Sequence, residues 1–258
     1  MKVGICAIIK DCKPSYLNEW LEWHRLIGVD CFFIYDNDSK IPIKNIIQDL
    51  KNISIIPIHG EMQQSIAYTD CIKKQQQVKD CDWIAFIDDD EFLVFDCGNI
   101  KTFLQNQKNS GVCLNWILFG ASKSGSENQS QIAKYTRCLP VTAKVNLHVK
   151  SIVNVQKTES FNHPHIAKYK EGFAVDVFGN EVNTPFVENA VHSIAWINHY
   201  YCRSLEEFRE KNKRGRADLS KEMMPNSYPD TTFTIYDSQA TENTTKIQQI
   251  LAKLKCRV

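Results

Sequence analysis

The sequence of 258 residues has no GxGxxG turn after its first apolar run and no GxxxxGK[ST] loop. A dinucleotide-dependent oxidoreductase and a P-loop NTPase are therefore poor readings. Excess charge is also lacking, since 31 basic and 30 acidic residues leave a formal net charge of +1. General nucleic-acid binders and binders of anionic membranes carry a basic footprint in their composition, so any phosphate here must be held locally. No apolar run reaches the length of a membrane span. The N-terminal VGICAII run stops at Lys10 and Asp11 and has no small-residue cleavage site, so it reads as a first strand and not as a signal peptide. Ten cysteines are present, yet none form a CxxC pair or a cysteine–histidine spacing of the zinc type. Reduced, mostly buried thiols in a cytoplasmic protein, at most peripheral at the inner face of a membrane, are the expectation.

What is present is ample core material, 43% hydrophobic and 10% aromatic residues, enough for one large α/β domain or two small ones. Strands are expected at 3–9, 31–35 (CFFIY), 53–58 and 83–87. Between them, Leu17, Trp20, Leu21, His24 and Ile27 recur at helical spacing, with a cap at Ser15 and a stop at Gly28. A glutamine-rich helix is expected over 62–79. This alternation implies right-handed crossovers and a mainly parallel sheet flanked by helices. After Phe95 come a short helix near 100–108, a long strand at 111–119, a small polar loop at 120–131 suited to a lid, and a strand or hairpin within 141–153. Ser204 with Glu207 marks a capped helix that ends in Lys211, Lys213, Arg214 and Arg216. A linker follows near 225–230, and Ile247, Ile250, Leu251 and Leu254 form a last amphipathic helix.

The chemistry concentrates in DWIAFIDDDEFLVF, 82–95. Trp83 to Ile87 form a buried strand that delivers Asp88, Asp89, Asp90 and Glu91 at its carboxyl end, where α/β sheets bind ligands. If the backbone stays extended, Asp88 and Asp90 share one side. An acidic turn in solvent is the plain alternative. Against it, four acids between two apolar runs repel one another unless cations or donors compensate. Paired carboxylates suit Mg2+ or Mn2+, which take one or two of them and complete their shell with water and phosphate. That cation would stabilise a departing nucleoside diphosphate.

The segments CAIIKDCKPSYLNEWLEWHRLIGVDCFFIYDNDS, DWIAFIDDDEFL, NWILFG, HVKSIV and INHYYCRSLEEFREKNKRGRADL, in this order, resemble GT-A glycosyltransferases of the family 2 and family 92 group. The resemblance implies a single GT-A-like domain: 1–95 as the nucleotide-binding half ending in DxD, 96–225 as the acceptor half, and 226–258 as linker and helix. It further implies a hexosyltransferase taking a nucleotide-sugar donor, most simply a UDP-sugar, and a glycan or glycolipid acceptor. By the same resemblance, Asp88 and Asp90 contact ribose and the Mn2+ or Mg2+ diphosphate, Lys10 and Asp36 approach the base and ribose, and His199 completes the metal site.

Lys211 and Arg214, three apart, share a helix face and are expected to clamp the donor phosphates, with Lys213 in solvent. A direct displacement needs a base near the acceptor hydroxyl. Glu91, Glu127 and Asp176 are the candidates, Glu91 first for its nearness to the aspartates. His24, His59, His148 and His192 are expected to be structural, and His163 and His165 to form acceptor contacts or a turn around Pro164. A sugar-nucleotide pyrophosphorylase is disfavoured by the absent glycine-rich loop, and a catalytically inactive nucleotide- or glycan-binding protein is the reading from another class.

Overall fold

The computed structural model describes residues 1–120, 130–215, 217–218 and 230–242. The polar loop with Glu127, Arg216, most of the linker and the terminal helix lie outside these residues. The chain begins with β1 (Val3–Ile9), buried along its whole length. Next is α1 (Pro14–Leu26), whose first residue is proline, a position where the missing N–H has no helical partner to lose. Lys13, not Ser15, holds the cap position, without a side-chain bond to the helix. Gly28 ends the helix at φ 102°, a left-handed conformation that costs glycine little.

The chain continues through β2 (Cys31–Asn37), β3 (Ile53–Ile58), α2 (Gln64–Lys74), β4 (Trp83–Phe86) and β5 (Glu91–Phe95). After α3 (Ile100–Leu104) comes β6 (Gly111–Leu118), then α4 (Gln131–Lys134), β7 (Arg137–Cys138) and β8 (Val149–Asn154). Short strands follow: β9 (Thr158–Ser160), β10 (Lys168–Tyr169), β11 (Ala174–Val175) and β12 (Glu181–Val182). The described chain closes with β13 (Ala195–His199), α5 (Leu205–Arg214), α6 (Asp230–Gln239) and β14 (Thr241–Glu242).

The main sheet runs in the order β12-β11-β6-β8-β4-β1-β2-β3, with β13 joining β6 to β5. From β3 through β2 and β1 to β4 every pairing is parallel, as strand–helix alternation requires. The second half is mixed, because β8 runs antiparallel between β4 and β6. Fully apolar strands follow from cover on both faces. Val3, Ile5, Ala7 and Ile9 pack with Phe32, Ile34 and α1, whereas Cys6 and Ile8 pack with Phe33, Tyr35 and α2. In β4 the same alternation sends Trp83 and Ala85 to the α1 side and Ile84 and Phe86 to the α2 side. The carboxyl ends of β1, β2 and β4 meet at one edge of this double-sided core.

Candidate functional site

At the end of β4 the backbone does not stay extended. It turns at Asp89 and Asp90, with the Glu91 amide donating to the Asp88 carbonyl at 3.1 Å. Glu91 Oε2 accepts from the Asp88 amide at 2.8 Å and so staples the turn from inside. The three aspartates therefore point to three different neighbours. Asp88 faces α2 and β8, accepting from Gln64 Nε2 at 2.6 Å, Tyr68 OH at 3.3 Å and Lys150 Nζ at 3.0 Å. Asp89 meets the Cys12 thiol, which burial and that carboxylate push well above its usual range. Asp90 faces β13 and α5, with His199 Nε2 at 3.5 Å from Oδ1 and the Lys211 ammonium bonded to Oδ2.

Charge is balanced pair by pair. Lys150, 1% exposed, lies between Asp88 and Glu91, 3.6 Å from Glu91 Oε2. Burial disfavours its charged form, but Asp88 and Glu91 outweigh that and raise the Lys150 pKa. Burial likewise opposes ionisation of Asp90, yet Lys211 and His199 hold its carboxyl well below the carboxylate range. Burial lowers the His199 pKa, opposed by the neighbouring Asp90 carboxylate. Its Nδ1 has no hydrogen-bond partner among the described residues. The ring packs 4.4 Å from that of Trp116, whose buried Nε1 is likewise unpartnered among them.

These groups share a cavity of about 420 Å³ with Lys10, Asp38, Arg214 and Gly215 on its wall. Asp88, Asp89, Asp90, Lys150, His199 and Lys211 all line it. Helix α5 reaches the cavity because Ser204 and Glu207 form a reciprocal capping box and Phe208 is buried. Its last turn is fastened to the β1 loop by Arg214, whose Nη1 donates to the carbonyls of Lys10 and Asp11. The sequence model of Glycosyltransferase family 92 matches residues 2–231.

This chain belongs to glycosyltransferase family 92. A family 92 protein of Ricinus communis is 28% identical over 216 residues, covering 80% of this chain and 36% of the relative. One of Arabidopsis thaliana is 30% identical over 224 residues, with the same 80% and 36%. The chain thus spans about a third of the length of the curated relatives it matches. Likeness to solved structures is looser. HddC from Yersinia pseudotuberculosis overlaps at a TM-score of 0.41 and 10% identity, over 68% of this chain and 89% of that one. An active-site mutant of LgtC overlaps at 0.34 and 11%, over 96% and 99%.

In this family 92 chain the expected site residues do not all meet. Lys10, Asp88, Asp90, His199, Lys211 and Arg214 share the cavity, and Lys213 is exposed. Asp36 does not line it. Its carboxylate accepts from the amides of Ser39 and Ile43 and shapes the loop after β2. The acid that reaches the cavity from that loop is Asp38, at φ 57°, which also accepts from His59 Nδ1 at 2.6 Å. Glu91 is the second correction. It is fully buried behind the turn, and burial, partly offset by Lys150, pushes its carboxyl up to about 8. An acid enclosed behind the turn and off the cavity wall cannot reach an acceptor hydroxyl in the cavity to take its proton. Asp176, a third candidate for that role, accepts from the Phe178 and Asn180 amides within a turn and also lies off the cavity. The carboxylates that do line it, besides the three aspartates, are Asp38, Glu61 and Asp218.

Lys150 is the site-lining residue that the sequence reading missed. HVKSIV places one lysine in a buried strand whose other side chains are apolar or small, and an isolated inward cation there demands a buried partner. That demand was the available signal. Both ring nitrogens of His24 are engaged, Nδ1 at 2.8 Å from the Trp20 carbonyl and Nε2 accepting from the Leu93 amide, as a structural histidine requires.

Among the described residues, no three of His, Cys, Asp and Glu converge as a ready set of metal ligands. Two carboxylates and an imidazole are nonetheless the right donors for Mn2+ or Mg2+, which can complete their shell with water and phosphate. The Lys211 ammonium is paired with Asp90 at this turn.

Proposed function

We propose that this chain is the catalytic part of a metal-dependent glycosyltransferase. It would move a hexose from a uridine diphosphate donor to a glycan or glycolipid acceptor on a GT-A-type scaffold. The observation that supports this most is the triple-aspartate turn at the carboxyl end of β4, opening on the same cavity as Lys10, Lys211 and Arg214. Membership of family 92 points the same way. Asp88, Asp90 and His199 would hold Mn2+ or Mg2+. When bound, that ion would supply positive charge to the departing diphosphate.

The protein's own contribution is positioning. Lys150 fixes the Asp88 carboxylate with a hydrogen bond at 3.0 Å. Arg214, already tying α5 to the β1 loop, presents its guanidinium to one side of the donor phosphates, where a forked contact is favourable. Lys10 and Asp38 stand where base and ribose would lie, at the ends of β1 and β2. Residues 1–95 then form the nucleotide half, and the wall carrying Trp116, His148 and Tyr201 receives the acceptor.

The test is a thermal-shift panel of nucleoside diphosphates and their sugars, each with and without Mn2+. A UDP-sugar should raise the melting temperature, and Mn2+ should enlarge the effect. Equal, negligible shifts for every nucleotide would overturn this reading.

A further inference from the structure

The two cations at the aspartate turn are not equivalent. Lys150 arises from the middle of the sheet, is 1% exposed, and touches two carboxylates at once. It has nowhere else to go. Lys211 sits in the last turn of α5 with its side chain 25% exposed, paired among the described carboxylates with Asp90 and passing 4.3 Å over the Tyr201 ring. Its unbranched stem can swing without moving the helix, which is held separately by the capping box, by Lys13 to Glu207 at 2.8 Å, and by Arg214.

Asp90 is buried, and a buried carboxylate without a counter-ion is strongly disfavoured. Lys211 meets that requirement here. A divalent cation arriving at Asp90 cannot share Oδ2 with an ammonium, since like charges at contact distance repel strongly in so enclosed a place. One of the two must leave, and Lys211 has an open cavity beside it.

Resting on the metal-dependent reading above, we propose that Lys211 is a displaceable counter-ion. It occupies the divalent cation's place on Asp90 before metal binds, and the arriving ion displaces it toward the donor diphosphate. The same side chain would then serve two anions in turn. Metal binding without nucleotide is held back by the lysine, and becomes favourable when a diphosphate offers the displaced ammonium a new partner.

Two measurements test this, both with Mn2+ alone as the probe. In calorimetric titration, Lys211→Met should bind Mn2+ about tenfold more tightly than the unmodified protein, because the competing charge is gone. Unchanged or weaker binding by a folded Lys211→Met protein overturns the proposal. Since that variant leaves Asp90 without its cation, the second measurement uses the unmodified protein. Amine-selective labelling read by mass spectrometry, at Mn2+ concentrations shown by the titration to saturate the unmodified protein, should show Lys211 becoming severalfold more reactive than without Mn2+, with exposed Lys213 unchanged. Equal labelling of Lys211 with and without Mn2+ overturns the proposal even if UDP and Mn2+ together stabilise the protein, which would leave the transferase reading standing. Absence of any Mn2+ binding to either protein overturns the proposal. Failure of every UDP-sugar to bind as well would remove the transferase reading.

Discussion

Asp88 and Asp90 are two residues apart in one turn, yet they live in different parts of the molecule. Asp88 is held by the sheet and α2, through Lys150, Gln64 and Tyr68, all on regular elements with buried neighbours. Asp90 is held by the end of β13 and the last turn of α5, through His199 and Lys211. The first carboxylate belongs to the framework, and the second to a surface helix anchored at a few points. One carboxylate is thus tied to the sheet, and the other to a cation on a half-buried helix.

The largest expected effect tests the framework side. Lys150→Met leaves Asp88 and Glu91 beside each other without their cation, which should cost about 3–5 kcal/mol of folding stability in urea unfolding. A loss below that of an ordinary surface substitution would make Asp88 as replaceable as Asp90. On the other side, Arg214→Ala should weaken UDP binding by roughly 1.5–3 kcal/mol, the scale of a lost hydrogen bond to charge. It should spare most of the stability, because α5 keeps its cap and Phe208; a calorimetric titration with UDP and a melting curve separate the two effects. Asp90→Asn should fold, since Lys211 can turn to water, while losing the Mn2+-dependent part of the thermal shift produced by a UDP-sugar.

A smaller effect concerns pH. Burial would raise the Glu207 carboxyl, but hydrogen bonds from Lys13 and Tyr135 bring it down to about 2. An unfolded glutamate titrates near ~4.3, so this interaction contributes fully above that value and is lost as pH falls toward the folded one. The stability difference between the unmodified protein and Glu207→Gln should therefore be greatest near neutrality and shrink through the acid range, measured by urea unfolding at several pH values. Lys213→Ala, on the exposed face of the same helix, should change neither nucleotide binding nor stability measurably. An effect equal to that of Arg214→Ala would mean that α5 acts as a diffuse positive surface.

The half of the site that follows from strand order was legible in the sequence. An apolar run ending in acids can be read from residues 83–91 alone, because a short run rich in aromatic and branched side chains suits a strand covered on both faces. Helix α5 was legible too, since Ser204 and Glu207 announce its start and the spacing of Lys211 and Arg214 gives their shared face. What was not legible depends on backbone turns and on partners distant in sequence. Glu91 stands next to the aspartates in sequence but is folded behind them, because a tight turn reverses the direction that an extended strand would give. Asp36 and Asp38 differ only by which one the β2 loop turns inward. Lys150 meets Asp88 across 62 positions of chain, a separation that no local pattern spans.

Strand β13 has a bearing on how insertions are tolerated. It pairs with β5 so that His199 lies opposite Glu91, and with β6 so that His199 lies opposite Leu118. Because side chains alternate along a strand, a slip of one position would put Asn198 opposite Glu91 and turn the imidazole away from Asp90. A single residue added between 195 and 199 should thus erase the site while leaving most of the core able to fold. Added length at 188–190, between the bridge at Phe186 and the hydrogen bonds of Val191 and His192, can be taken up before the strand begins. Laboratory evolution of this protein has room to vary in that approach segment and almost none in the five residues that follow it.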